Sequence, residues 1–106
     1  MNIVISTVHE TPDQKTEEYA KKRVEKLKKF HPKIIKITAR LIAETSHREK
    51  DDDFTCELDA DIPGKNIEIS ETGQTMMEAI DKAVDKMKIL LVKHKEKALE
   101  HDRKRN

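Results

Sequence analysis

Phe54-Thr55-Cys56-Glu57-Leu58-Asp59-Ala60-Asp61-Ile62 alternates apolar and polar residues without a break; Pro63-Gly64 follows, and Asn66-Ile67-Glu68-Ile69-Ser70 alternates again. Period-two alternation places successive side chains on opposite faces of a strand. Pro-Gly is a turn signal. The segment therefore reads as two strands, the second ending near Gly73. They share one apolar face and one face carrying Glu57, Asp59, Asp61 and Glu68. Such a sheet must bury its apolar face, so the flanking sequence has to supply the cover.

Upstream, Lys33 to Glu44 alternates too, with Ile35, Ile37, Ala39, Leu41 and Ala43 on one side and Lys36, Thr38 and Arg40 on the other; Ile34 and Ile42 break the pattern at its ends. Thr45 to Asp53 is polar and acidic, hence a loop. Ile3 to Val8 is a short β-rich run and supplies a first strand. Between them lies a helix. Thr11-Pro12-Asp13-Gln14 has a capping residue, a proline tolerated at the first helical position and a glutamine that closes a capping box. Ala20, Val24 and Leu27 then recur at helical spacing, with Thr16 and His31 on the same side. Pro32 cannot continue the helix, which is expected to stop near Phe30.

Downstream, Thr75-Met76-Met77-Glu78 is a second capping box. Ile80, Val84, Met87, Leu91, His94, Ala98 and His101 step by four and three, and no glycine or proline interrupts Thr75 to Asn106. A helix to about Glu100 would be roughly 39 Å long. A strand of ordinary length spans roughly 17–20 Å, so the far end of the helix is expected to overhang or fray. The order is β-α-β-β-β-α. The economical packing is an α+β fold, a four-stranded mixed sheet with both helices on one face, as in double-stranded-RNA-binding domains. If the first two strands are neighbours, their connection is a right-handed parallel crossover. Residues 1–100 are expected to form one domain and 101–106 a basic tail.

Charged residues make up 41% of the chain, against about 25% in an average domain. The formal net charge of +1 conceals segregation. Pro12 to Lys33 carries a net +4, Glu44 to Glu71 a net −7 and Lys86 to Asn106 a net +5. Stepping each helix by 100° per residue places Lys15, Lys22, Lys29 and Lys33 opposite Ala20, with Lys26 beside them. Lys21 and Lys28 fall to one flank, and Arg23 sits near the apolar edge. Lys82, Lys86 and Lys93 fall opposite Ile80, with Lys97 and Lys104 beside them. Two basic stripes facing away from an acidic sheet point to an anionic partner. A phosphate lattice suits such a spread of point charges, because each neutralised phosphate releases counterions. Lysine outnumbers arginine in both stripes, which favours backbone contact over base reading. Tyr19, Phe30 and Phe54 are too few and too scattered for a base-stacking platform. The expected partner is shaped RNA; charge alone does not separate RNA from DNA.

Catalysis is not expected. His9, His31, His47, His94 and His101 lack metal-ligand spacing. His94 and His101 fall on the apolar stripe, where a packed histidine is the ordinary role. Cys56 is an inward strand position and reads as a buried, inert thiol. Gly64 and Gly73 are the only glycines, so there is no phosphate-cradling loop. No cofactor, metal or small-molecule substrate is expected. A single cysteine, a start at Met1-Asn2-Ile3-Val4 without a basic leader, and no run of about 18 apolar residues are consistent with a cytoplasmic protein that does not contact membranes.

Ile62-Pro63-Gly64-Lys65-Asn66-Ile67-Glu68-Ile69-Ser70-Glu71-Thr72-Gly73-Gln74, then Met76-Met77-Glu78-Ala79-Ile80-Asp81, Val84-Asp85-Lys86-Met87 and Lys93-His94-Lys95-Glu96-Lys97, resembles the ribosome hibernation promoting factor family, known in older naming as sigma-54 modulation proteins. Tyr19, Arg23, Val24, Lys26, Leu27 and Phe30 echo that family's first helix. The resemblance covers essentially the whole chain. It implies a β-α-β-β-β-α fold that binds the small ribosomal subunit and its 16S-type RNA, on 30S or 70S ribosomes. It also implies that mRNA and tRNA sites are blocked by occupancy in stationary phase or stress. Carried over by position, the RNA-binding candidates are Arg23, Lys26, Lys33, Lys86, Lys93, Lys95 and Lys97. Lys22, Lys29 and Lys82 join them from the helical-face argument alone. Two positions depart from the family. Ile89 stands on the outward face where arginine is frequent, and Met77 stands where an aromatic residue is common. The chain stops at Asn106 without the dimerisation domain of long members, so a short form, monomeric off the ribosome, is expected.

Three other readings compete with this one. A general double-stranded RNA-binding module has lysines at the start of its second helix, where this chain has Glu78 and Asp81. A domain that binds proteins rather than RNA, in the sense of sigma-54 modulation, would leave the basic stripes as solvated faces. The four-three stepping of the last helix also fits a coiled-coil seam, but the sheet needs the first half of that stripe.

Overall fold

The structure is a computed structural model that describes residues 1–8, 14–43 and 54–105, with side chains up to residue 96. Strand β1 spans Asn2–Val8, helix α1 Gln14–Glu25, a 3₁₀ segment Lys26–Phe30, β2 Lys36–Ala43, β3 Phe54–Ile62, β4 Lys65–Gly73 and helix α2 Met76–Arg105. The first capping box (Thr11, Pro12, Asp13) and the acidic loop from Thr45 to Asp53 lie outside the described residues.

One four-stranded sheet runs in the order β1-β2-β3-β4. β1 pairs parallel with β2, from Asn2 opposite Lys36 to Val8 opposite Ile42. The other two pairings are antiparallel. β3 and β4 form the hairpin that the alternation implied. Ile62 faces Lys65 across the two-residue turn, and Gly64 holds φ 80°. That is the left-handed value the second position of a type II turn demands, which glycine adopts without a steric penalty.

A single core lies between the sheet and both helices, which pack on the same face. The strands contribute Ile37, Ala39, Leu41, Cys56, Leu58, Ala60, Ile62 and Ile67; α1 and the 3₁₀ segment contribute Ala20, Val24 and Leu27; α2 contributes Ala79, Ile80, Ala83, Val84, Met87 and Leu91. Burial pushes the Cys56 thiol up to about 12, so it stays protonated and inert at neutral pH.

Two details depart from the alternation and the helical step. Ile35 is 51% exposed, while Ile34 is buried. The strand begins only at Lys36. Ile35 joins the ladder through its backbone, donating to the Asp61 carbonyl at 2.8 Å, but its side chain turns outward and Ile34 takes the core position. The first helix does stop at Phe30, yet its last five residues tighten to 3₁₀. With three residues per turn, i and i+3 eclipse. Leu27 and Phe30 thus form an inward row, and Lys26 and Lys29 an outward one. His31 follows in extended conformation (φ −156°, ψ 117°), and Pro32 keeps the chain out of the helix.

The second capping box forms with one change of partner. The Glu78 N–H donates to Thr75 Oγ1 at 3.1 Å, and the Gln74 N–H, rather than that of Thr75, donates to Glu78 Oε2 at 3.0 Å. This hydrogen bond, then the Lys82 ammonium, holds the Glu78 carboxyl below its ordinary value. At 30 residues α2 is roughly 45 Å long. Its last fully buried side chain among the described residues is Leu91, so the remaining turns project past the core.

Candidate nucleic-acid interface

The helical layer divides into two ends. At the near end, where α2 begins, Arg23, Lys82 and Lys86 of the predicted site are each matched by a carboxylate. Arg23 reaches across from α1, with Nε 3.0 Å from Asp81 Oδ1 and Nη2 3.3 Å from Asp85 Oδ1. Its Nε–H does not align with Asp81, so the first contact is a charge contact rather than a formed hydrogen bond. Tyr19 donates its hydroxyl to the same Asp81 oxygen at 2.5 Å, which raises the Tyr19 pKa. Lys82 lies 3.2 Å from Glu78, one helical turn away, and Lys86 lies 3.4 Å from Glu71 of β4. Arg23, Lys82 and Lys86 therefore tie α2 to α1, to its own cap and to the sheet.

The far end differs. Lys26, Lys28, Lys29, Lys33, Lys93 and Lys95 are all exposed, and among the described residues none forms an ion pair. Lys26, Lys28, Lys29 and Pro32 from the first helix and its exit, together with Lys95 from α2, line a shallow cleft of about 590 Å³ between the two helices. Glu25 is its one carboxylate. Lys88 leans over the Phe30 ring at 4.9 Å and Lys29 lies 5.7 Å from the same ring, so cation–π attraction gathers ammonium groups at this end. Lys22 is exposed on the outer face of α1. Lys97 belongs to α2, and its side chain lies outside the described residues, as do those of Lys104, Ala98 and His101.

The structure thus brings Lys26, Lys29, Lys33, Lys93 and Lys95 to one end and separates them from Arg23, Lys82 and Lys86. Sequence reasoning placed Lys28 on a flank and passed over Lys88. The cleft includes the first, because the 3₁₀ segment rotates its residues away from the ideal helical step. Reasoning from stripes also treated His31 and His94 as separate core residues. They meet. His31 is 5% exposed, and its Nε2 lies 3.1 Å from His94 Nδ1, the two rings tilted by 35°. The available signal was that each histidine fell on the inward side of its own helix, and the helices face one another.

The two departures from the family pattern are both surface positions: Ile89 is 56% and Met77 42% exposed. The far side of the sheet is a separate, shallow trough lined by Thr38, Arg40, Glu57, Asp59, Glu68 and Ser70, with Arg40 paired to Glu57 at 3.1 Å. Among the described residues, no group of three or more His, Cys, Asp or Glu is placed to hold a metal, and no helix is long and apolar enough to cross a membrane.

Two solved structures share this architecture. The N-terminal domain of Thermus thermophilus Protein Y superposes with a TM-score of 0.72 at 20% identity, over 89% of this chain and 99% of that one. A ribosomal subunit interface protein from Coxiella burnetii superposes with a TM-score of 0.76 at 17% identity, over 90% and 98%. At such identities the likeness establishes the fold. No curated protein sequence matches the chain. The family described as sigma 54 modulation protein / S30EA ribosomal protein matches residues 3–99. Its match reaches from β1 through α1, β2, β3 and β4 and into α2 as far as Leu99, and the chain belongs to that ribosome-associated family.

Proposed function

We propose that this protein binds the RNA of the small ribosomal subunit through the far end of its helical layer and silences translation by occupying the mRNA and tRNA sites, with no chemistry. The observation that carries the reading is the cleft in which Lys26, Lys28 and Lys29 face Lys95, four ammonium groups without ion-pair partners among the described residues. Unpaired lysines lose little on meeting phosphates, whereas paired ones must first leave a carboxylate. Family membership supports the ribosome as the partner, and the Coxiella relative is itself called a ribosomal subunit interface protein. Lys33 and Lys93 at the same end, and the carried-over candidates Lys22 of α1 and Lys97 of α2, are further contacts in this reading. A role in stress or stationary phase, and a monomer off the ribosome, complete the proposal.

Co-sedimentation with ribosomes across a salt series tests it. Each phosphate contact should contribute about 0.7–0.9 to the slope of log affinity against log salt, so several contacts give a steep line. Reversal of Lys26 and Lys29 to glutamate should leave the protein in the supernatant. A flat salt slope, or undiminished pelleting of that variant, would favour a protein partner and defeat the reading.

A further inference from the structure

The two histidines belong to a hydrogen-bond chain with a fixed direction. The Lys33 backbone N–H donates to His31 Nδ1 at 3.2 Å. A backbone N–H can only donate, so His31 Nδ1 carries a lone pair, and in the neutral ring its proton sits on Nε2. His31 Nε2 then donates to His94 Nδ1, 3.1 Å away. His94 Nδ1 must accept, which leaves the His94 proton on Nε2. One backbone amide thus sets the tautomers of both rings, and it does so from a buried histidine that cannot turn freely.

The end of this chain has no acceptor among the described residues. His94 is half-buried and lines a second groove, of about 340 Å³, with Lys65, Asn66 and Glu68 of β4 and Lys93 of α2. Lys95, the next residue but one after Lys93, lines the cleft on the other side of α2. Pro32, beside His31, lines that cleft too. The histidine pair therefore stands between two concave surfaces, both edged by lysine. Glu68 is the carboxylate in the His94 groove, and it makes no hydrogen bond to the ring.

We propose that His94 is a further RNA-contact residue, a neutral imidazole whose Nε2–H is held outward for an RNA oxygen by the chain running from the Lys33 amide through His31. His31 is its positioning residue. The inference rests on the RNA-binding reading above. It adds a directional donor to a surface otherwise made of flexible ammonium groups. A lysine finds a phosphate anywhere within its reach, whereas a ring locked at Nδ1 can donate to an oxygen along only one line. This donor would register the protein on its RNA without adding to the salt slope, because it is uncharged.

The experiment has two arms. In the free protein, nitrogen-15 imidazole spectra near pH 8 should show His94 as the Nε2–H tautomer, and His31→Phe should release that preference. A His94 ring protonated on Nδ1 in the wild type overturns the proposal. In the second arm, purified small ribosomal subunits are the probe. His94→Phe should weaken binding by about three- to tenfold, the size of one hydrogen bond, with the salt slope unchanged. His94→Gln, whose amide can donate from a similar place, should recover part of the loss. Wild-type affinity in His94→Phe, with the lysine variants still impaired, overturns the role of His94 and leaves the RNA-binding reading standing. Failure of the wild type itself to bind subunits overturns both. Thermal unfolding of each variant separates lost contact from lost fold.

Discussion

The two ends of the helical layer treat the cations of the predicted site in opposite ways. Arg23, Lys82 and Lys86 at the near end each meet a carboxylate within 3.4 Å, whereas Lys26, Lys28, Lys29 and Lys95 at the far end line an open cleft with no ion pair among the described residues. Positive charge on a surface is therefore not one property. At the near end it holds helices together; at the far end it is left for a partner. Helical spacing alone gave the two sets equal weight, because spacing shows which face a lysine occupies and not what stands opposite it.

Charge reversal breaks the comparison most directly. A hydrogen bond to a charged group contributes roughly 1.5–3 kcal/mol, and each 1.4 kcal/mol is tenfold in affinity. Lys29→Glu with Lys95→Glu should weaken ribosome binding on the order of 100-fold or more, with little change in thermal stability. Lys82→Glu with Lys86→Glu should do less to binding, within about tenfold, and should destabilise the fold modestly, since exposed pairs contribute about 0–1 kcal/mol each. Equal losses of binding in the two doubles would erase the distinction between the ends.

The near end should also resist changes of shape. An added Cβ at Gly73 would stand 2.8 Å from the Ala79 amide nitrogen and 3.0 Å from Glu78 Cβ, where β4 hands over to α2. Gly73→Ala is expected to cost about 1–3 kcal/mol through overpacking. Gly64, with nothing within 4 Å, should cost only about 1 kcal/mol through its positive φ. Urea unfolding measures both. If Gly73→Ala were the milder change, the near end would not be the rigid anchor that this comparison requires.

Arg23 sharpens the contrast at smaller amplitude. It was a candidate RNA contact by position, yet it leans on Asp81 and Asp85, whose side chains are 43% and 72% exposed. Part-exposed pairs of this kind are screened, so Arg23→Ala should cost about 1 kcal/mol of stability. Ribosome affinity should fall less than it does for Lys29→Glu. A larger binding defect than a stability defect would return Arg23 to the RNA surface.

These outcomes also measure what was legible beforehand. The strands were readable because Cys56, Leu58, Ala60 and Ile62 could satisfy only one register; a slip by one residue would bury Glu57 and Asp59. Both helices and their shared face followed from stripes at Ala20, Val24 and Leu27 and at Ile80, Val84, Met87 and Leu91. Ile34 and Ile35 were not readable, because two isoleucines in a row carry no phase and the strand starts after them. The 3₁₀ tightening was not readable either, although Pro32 marked where the helix had to stop. For the site, sequence supplied the cations and their faces. It could not supply the pairing of Lys86 with Glu71, which are distant in sequence and brought together only by the fold.

The smallest effect expected is a pH dependence seated at the far end. Burial lowers the His31 pKa first, and His94, Lys95 and Lys33 lower it further. Lys65 and Glu68 of β4 border the outer side of His94. Protonating His31 on Nδ1 would set an N–H against the Lys33 amide. Folded His31 therefore holds fewer protons than it does in the unfolded chain in the interval between its lowered folded value and the ordinary value of about 6.5. Stability rises with pH wherever the unfolded state binds more protons. The melting temperature should accordingly fall as pH drops through about 6.5, and the decline should level off once the folded ring also protonates. Glu78, whose carboxyl is also held low, loses its contribution only below about 4.5 and so falls outside this window. Calorimetry between pH 7.5 and 5.5 is the measurement, with His31→Phe as the comparison, because the phenylalanine variant should show a shallower decline over that range. A melting temperature in the wild type that holds level or rises toward pH 5.5 would mean that His31 is not held neutral by its surroundings.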